Sequence, residues 1–299
     1  MLTVVQTNFN GIDGLAINTQ SQPQLTSEGV LIKMSVLPVV PADWKRESEP
    51  NVTAEQLTQL PRTIGVGGVG QVVAVGANRD PQLLKQRVLV MHPAGAYAEY
   101  VVSTNPDWLL PLPASVSDQA AATLPAGAGT AVMLRQTINR CQPSEVIITG
   151  ANSVIGLYLC QLLRGSQCRV WPVVTAASRS YFEQQLPEYQ AVMLEELPAS
   201  LKQPLVIDIA GYQPLLQELA TKYPLSTMYS IVNQASEEIP ALRFVHEEYS
   251  SATYQQLIAQ LADGQLKGPI DRVFPVVEVK AAQHYAQDHH SRGRVLVTF

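Results

Sequence analysis

The stretch EVIITGANSVIG, residues 145–156, decides how the fold is read. An apolar run of strand character ends at a glycine, and a second apolar run of helical character follows. A phosphate-binding turn has this layout. One glycine permits the tight turn, a second lets the backbone close on a pyrophosphate, and a third lets the helix start pack on the strand. Gly150 and Gly156 suit the first and third tasks, and Ser153 stands at the middle position. Its Cβ could hold a phosphate away, while its hydroxyl could donate to one. An ordinary turn between strand and helix accounts for the same residues.

Outward from this turn the chain has two textures. From about residue 126, strands and helices alternate: the helix TAVMLRQTI, the strand EVIITG, the helix VIGLYLCQLLRGS, the strand CRVWPVV, a helix with YFEQQL, a short strand AVML, the strand PLVIDIAG, the helix PLLQELATKY and the strand STMYSIV. That rhythm predicts a parallel sheet covered on both faces, a doubly wound nucleotide-binding architecture. Residues 1–125 instead hold short β-rich runs broken by Gly and Pro (LTVVQT, GVLIKMSVLPVV, GQVVAVG, QRVLVMH, AYAEYVV), which predict a compact, mostly antiparallel, barrel-like unit. The tail adds a helix (YQQLIAQLADGQL), a Pro-bounded strand (PIDRVFPVVEV), a helix (AAQHYAQDHH) and the strand RVLVTF. The fold class is therefore α/β.

Bulk properties narrow the function. A chain of 299 residues with 46% hydrophobic and 15% charged residues is long enough for two domains with a substantial core. A formal net charge of -5, without a dense Lys/Arg cluster, supplies little attraction for nucleic acid or anionic lipid. The start lacks a basic, then apolar, leader, and no segment reaches the roughly 18 apolar residues of a spanning helix, so the expectation is a cytoplasmic protein. Cys141, Cys160 and Cys168 are too few and too widely spaced for a disulfide framework or a zinc clip. Of the five histidines, His289 and His290 fall where positive charge suits a helix end.

At the end of CRVWPVV lie Thr175, Ala176, Ala177, Ser178 and Arg179. No Asp or Glu stands there to take a ribose 2′-hydroxyl, whereas Ser178 and Arg179 could meet a 2′-phosphate, an arrangement that prefers NADPH over NADH. A solvated Arg at a helix start is the plainer alternative.

Several stretches then align in order with one family. VVPADWK, LPRTIGVGGVGQVVAVG, GAYAEYVV, SDQAAATLPAGAGTAVMLRQ, LVIDIAG and RGRVLVTF resemble successive motifs of the medium-chain dehydrogenase/reductases, within them the zinc-independent quinone oxidoreductase and enoyl reductase branch. The resemblance implies a GroES-like, mostly-β catalytic domain over 1–125 and 252–299, and a Rossmann NADPH-binding domain over 126–251. Gly150, Ala151, Asn152, Ser153, Val154, Ile155 and Gly156 would form the pyrophosphate turn, a Ser at the middle position having precedent in the 2-enoyl thioester reductases. It also implies no metal, because Val66 and Gly67 stand where zinc-dependent relatives carry a His-Glu pair and the four-cysteine lobe is absent.

The reaction implied is hydride transfer from NADPH to a quinone or an α,β-unsaturated carbonyl compound. Thr130 aligns with the position that lies against the nicotinamide, although a buried Thr at a helix start reads the same way. Asp43, Trp44 and Lys45 would line the substrate side, with Lys45 able to donate a proton or simply exposed on a loop. The branch's Tyr is missing from WKRESEPNVTAEQ, and Val40 replaces its Asn. The segment SIVNQASEEIPALRFVHEEYSS is shorter than in relatives, and MYSIV is the candidate edge strand for a homodimer. Two further readings stay open: a cofactor-binding relative that has lost the reaction, and a fold relative that binds no nucleotide.

Overall fold

The computed structural model describes residues 1–289 and 292–299, so His290 lies outside the described residues. The chain forms two compact units, Met1–Ala126 with Ser250–Phe299, and Gly127–Tyr249.

The unit Gly127–Tyr249 is built on a parallel sheet. Its strands lie in the spatial order Arg169–Val173, Glu145–Thr149, Leu205–Asp208, Met228–Ser230, Leu242–Phe244. The first strand in sequence is thus internal, next to an edge, and the direction of succession reverses between Glu145–Thr149 and Leu205–Asp208. Helices cover this sheet, so its middle strands read as unbroken apolar runs. Ile147, Ile148, Val206 and Ile207 are all 0% exposed, and each contributes about 1.5–3 kcal/mol by burial. Leu216 and Leu219 of the helix Gln213–Lys222 pack into the same core as Ile147, Trp171 and Met228.

Two expectations change here. AVML does not form a strand: a single parallel bridge joins Val192 to Val173, and the 3-10 turn Leu194–Glu196 follows. Val192 N–H donates to Pro172 O at 3.0 Å and Val174 N–H to Val192 O at 3.0 Å, but Pro172 has no N–H with which to extend the ladder upstream. MYSIV is shortened to Met228–Ser230 and is not an edge, because Leu205–Asp208 pairs on one side of it and Leu242–Phe244 on the other. The strand Leu242–Phe244, not expected from the sequence, takes the edge.

The other unit is mostly antiparallel. Its larger sheet runs Ile270–Pro275, Arg294–Thr298, Val30–Pro38, Gly67–Val75, Arg87–Met91, Leu109–Pro111, with Tyr100–Ser103 paired to Val30–Pro38. Among the described residues of this sheet, the two tail strands pair in parallel and the others antiparallel. A smaller sheet sets Leu2–Gln6 between Leu15–Thr19 and Arg62–Thr63. Val4, Ile32, Leu37, Val88, Val90 and Tyr97, all 0% exposed, belong to its core. The tail strand expected through VVEV stops at Pro275, where the 3-10 turn Val276–Glu278 leads into the helix Val279–Asp288. His289 Nδ1 lies 3.1 Å from Tyr285 O at the end of that helix. Among the described residues no helix is long and apolar enough to cross a membrane.

Candidate cofactor site

The turn 150–156 sits at the C-terminal end of Glu145–Thr149, beside the place where strand succession reverses. Open α/β sheets bind ligands at such a crevice. Gly150 has φ +63, and a Cβ there would come within 2.9 Å of Ala210 N, so the position needs glycine twice over. Gly156 has a different duty. A Cβ on it would lie 2.5 Å from Ala151 O, so its bare Cα lets the helix Val154–Leu162 settle against the turn.

Ser153 resolves the missing middle glycine. Its φ of -73 and ψ of 166 are open to any residue, and its Oγ accepts the Gly156 N–H at 3.1 Å. Ser153 is the helix N-cap, with one lone pair engaged and its proton still available to a ligand. The first-turn N–H groups of Val154 and Ile155 have no acceptor within the helix, which is the donor set a pyrophosphate requires. Ala151, Asn152 and Val154 are buried, while Ser153 and Ile155 are half-buried. The residues fit a dinucleotide phosphate.

A buried polar network braces this turn. Asp208, at the end of its strand and 0% exposed, accepts from Thr149 Oγ1 at 2.7 Å on one oxygen and from Ser230 Oγ at 2.6 Å on the other. Gly211 N–H adds a bond of 3.1 Å. Thr149 Oγ1 in turn accepts the N–H groups of Ile209 and Ala210, and Ser230 Oγ those of Val232 and Asn233. One carboxylate thereby ties together the C-terminal ends of three adjacent strands. A lone Asp in the apolar run LVIDIAG was the sequence signal for it, since buried carboxylates persist only when satisfied.

Past the end of the strand Arg169–Val173 the helix Ala176–Gln185 starts after Thr175. Ser178 is 4% exposed, and its Oγ accepts from Thr175 Oγ1 at 3.3 Å, so its hydroxyl is turned into the helix start. Arg179 is held by Glu196, whose carboxylate also accepts Met193 N–H at 2.9 Å. The Met193 N–H and the Arg179 guanidinium keep the Glu196 carboxyl below its usual range. Nothing in the sequence placed a carboxylate at this end, because Glu196 lies 17 residues beyond its partner.

Thr130 lies in the first turn of the helix Ala128–Cys141, and its hydroxyl donates to Glu247 Oε2 at 2.8 Å. A Cβ on Gly129 would strike the same carboxylate, so the glycine admits Glu247 to the helix start. Glu247 comes from the segment SIVNQASEEIPALRFVHEEYSS, in which no feature of the sequence singled it out.

The substrate-side candidates are set differently by the fold. All three ride on the helix Pro41–Glu47. Asp43 is 5% exposed and accepts Val40 N–H at 2.9 Å, a carboxylate reaching back to cap its own helix. Burial pushes its carboxyl up to about 7 despite that hydrogen bond, and Glu47 adds to the rise. Glu47, likewise raised by burial, accepts from Gln283 Nε2 at 3.1 Å. Arg294 donates nearby to Val39 O at 3.2 Å and Pro125 O at 2.9 Å. Trp44 packs against the β core, and Lys45 is exposed. Among the described residues no group of three or more His, Cys, Asp or Glu is arranged to hold a metal ion.

No protein-family model matches the chain. The trans-enoyl reductase fsr4 of Gibberella fujikuroi is 29% identical over 168 residues, 50% of this chain and 46% of that protein. A quinone oxidoreductase of Pseudomonas aeruginosa is 27% identical over 163 residues, 51% of this chain and 50% of that protein. The chain spans about half the length of the curated relatives it matches. The solved structure of the quinone oxidoreductase from Coxiella burnetii superposes with a TM-score of 0.84 at 20% identity, covering 100% of this chain and 99% of that one.

Proposed function

We propose that this chain, which has the medium-chain dehydrogenase/reductase fold and resembles the quinone oxidoreductases and enoyl reductases of that fold, is an NADPH-dependent, zinc-independent oxidoreductase that acts on a quinone or an α,β-unsaturated carbonyl compound. The observation that carries the reading is the turn 150–156, with its capped helix start, set beside the reversal of strand succession and tied there by Asp208. The cofactor, when bound, supplies the hydride.

The chain's own residues take the remaining tasks. Gly150, Ala151, Asn152, Ser153, Val154, Ile155 and Gly156 would hold the pyrophosphate, with the Val154 and Ile155 N–H groups and the Ser153 hydroxyl as donors. Arg179, next to Ser178, would take the 2′-phosphate, and Thr130 would flank the nicotinamide. Lys45, exposed on its helix, is the candidate proton donor, while Asp43 holds that helix as its cap. Val66 and Gly67 offer no metal ligand at the positions where zinc-dependent proteins of this fold carry a His-Glu pair. Two copies of this cytoplasmic protein would pair through the edge strand Leu242–Phe244.

Trp171 supplies the test. It lies on the strand leading to the proposed ribose end, 8% exposed, with the Arg169 guanidinium 4.0 Å over its ring. Titration with NADPH should quench its emission with a Kd in the low micromolar range, about 8 kcal/mol of binding. A flat titration up to millimolar cofactor refutes the reading.

A second reading, a cofactor-binding relative without turnover, is favoured by Asp43 being committed to its helix and by the absent Tyr. NADPH binding with no oxidation across a panel of quinones and enones would select it.

A further inference from the structure

The end of the strand Arg169–Val173 carries no carboxylate of its own, yet the fold delivers one there. Val192 is tied to Pro172 and Val174 by its backbone. The 3-10 turn Leu194–Glu196 follows directly, so Glu196 arrives beside the start of the helix Ala176–Gln185. Its carboxylate bonds the Arg179 guanidinium, and the Met193 N–H holds the same oxygen at 2.9 Å. The two side chains are 32% and 37% exposed, so the pair is open to a ligand from solvent.

We propose that Glu196 sets the selectivity between the two nicotinamide dinucleotides, by holding Arg179 against a 2′-phosphate and by accepting a ribose 2′-hydroxyl in its place. The inference rests on the reading above that the adenosine ribose lies at this strand end.

The physics has two parts. A phosphate monoester carries a charge of about -1.5 to -2 at neutral pH, and on approaching Arg179 it meets a cation that is already neutralised. It must break an ion pair whose carboxylate cannot swing away freely, since the backbone N–H also holds it. The like charges then stand within a few ångström of each other, and at a partly exposed site this lowers affinity by roughly tenfold. A ribose hydroxyl brings no charge and offers a proton that the carboxylate accepts. Glu196 thus narrows, without removing, the advantage that Arg179 alone would confer on NADPH.

Glu196→Gln tests this. The amide oxygen can still accept Met193 N–H, while Arg179 is released. Calorimetric titrations would use NADPH and NADH, and then 2′,5′-ADP and 5′-ADP to isolate the ribose end from the nicotinamide. The variant should bind NADPH and 2′,5′-ADP about tenfold more tightly, with NADH and 5′-ADP unchanged or weaker. As a second variant, Arg179→Gln should weaken 2′,5′-ADP about tenfold or more and leave 5′-ADP unchanged, because the phosphate then faces Glu196 alone. If both cofactors bind and Glu196→Gln leaves their affinity ratio within about twofold, the role of Glu196 is overturned while the cofactor reading stands. If neither protein binds either cofactor, the cofactor reading itself fails and takes this inference with it.

Discussion

Asp208→Asn is a substitution of the same shape whose cost can be worked from hydrogen-bond roles alone. Thr149 Oγ1 accepts two backbone N–H groups, from Ile209 at 3.2 Å and Ala210 at 3.3 Å. Ser230 Oγ accepts two more, from Val232 at 3.0 Å and Asn233 at 2.9 Å. A hydroxyl has two lone pairs and one proton, so each has only its proton left to offer. The carboxylate answers both, one oxygen to each. An amide cannot, because whichever way it turns, its NH2 faces a hydroxyl that can only donate. Two buried donors are then left without acceptors, at about 1–3 kcal/mol each, and the charge-assisted bonds are lost as well. The expected loss is about 2–6 kcal/mol in the unfolding of the Gly127–Tyr249 unit. Urea denaturation at neutral pH, with the slope checked to be that of the wild type, measures it. Asp208→Ala should cost at least as much. A loss below about 1 kcal/mol for Asp208→Asn would mean that the hydroxyls have other acceptors, and the argument for the network would be wrong.

Three further perturbations bear on the site and its supports. Ser153→Ala removes a helix cap and should cost about 1 kcal/mol, whereas Ser153→Gly, which restores the common glycine, should cost only a few tenths; urea melts of both compared with wild type give the answer. Asp43 should make stability fall with rising pH. Burial raises its folded carboxyl to about 7 from the ordinary 3.8, so between those values the folded chain keeps a proton that the unfolded chain releases. That contribution is full below the unfolded value and lost by the folded one, at about 1.4 kcal/mol per pH unit as an upper limit. Asp43→Asn should flatten the slope between these limits, and equal slopes in the two proteins would discount the buried carboxyl. Thr130→Val removes the hydroxyl that donates to Glu247, with an expected loss of about 1 kcal/mol in stability and at least about tenfold in NADPH oxidation, while Thr130→Ser should retain both. Steady-state rates with a quinone acceptor, alongside melts, separate the two effects.

Much of the fold was legible in the chain's local chemistry. Apolar runs of strand length alternating with helical ones announce a parallel sheet, and Gly- and Pro-broken β runs announce an antiparallel unit, because burial on both faces or on one writes directly into residue order. The turn at Gly150 was legible for the same reason, since a positive φ at a strand end selects glycine. Boundaries were less so. AVML reads as a strand by composition, yet it makes one bridge, because Pro172 offers no N–H to pairing upstream of it and the chain turns into the 3-10 turn Leu194–Glu196 downstream.

What the sequence determined by itself is therefore the alternation of strands and helices, the order of most of them, and a glycine turn between strand and helix whose Ser153 left its purpose open. What only the tertiary structure decided is which side chains meet across long separations. Glu196 reaches Arg179, Glu247 reaches Thr130, and Asp208 gathers Thr149 and Ser230, while Asp43 is drawn inward to cap its own helix. Periodicity and turn chemistry are properties of neighbours along the chain. Charge pairing and hydrogen-bond satisfaction depend on distance in space, which is set only when the strands have taken their places in the sheet.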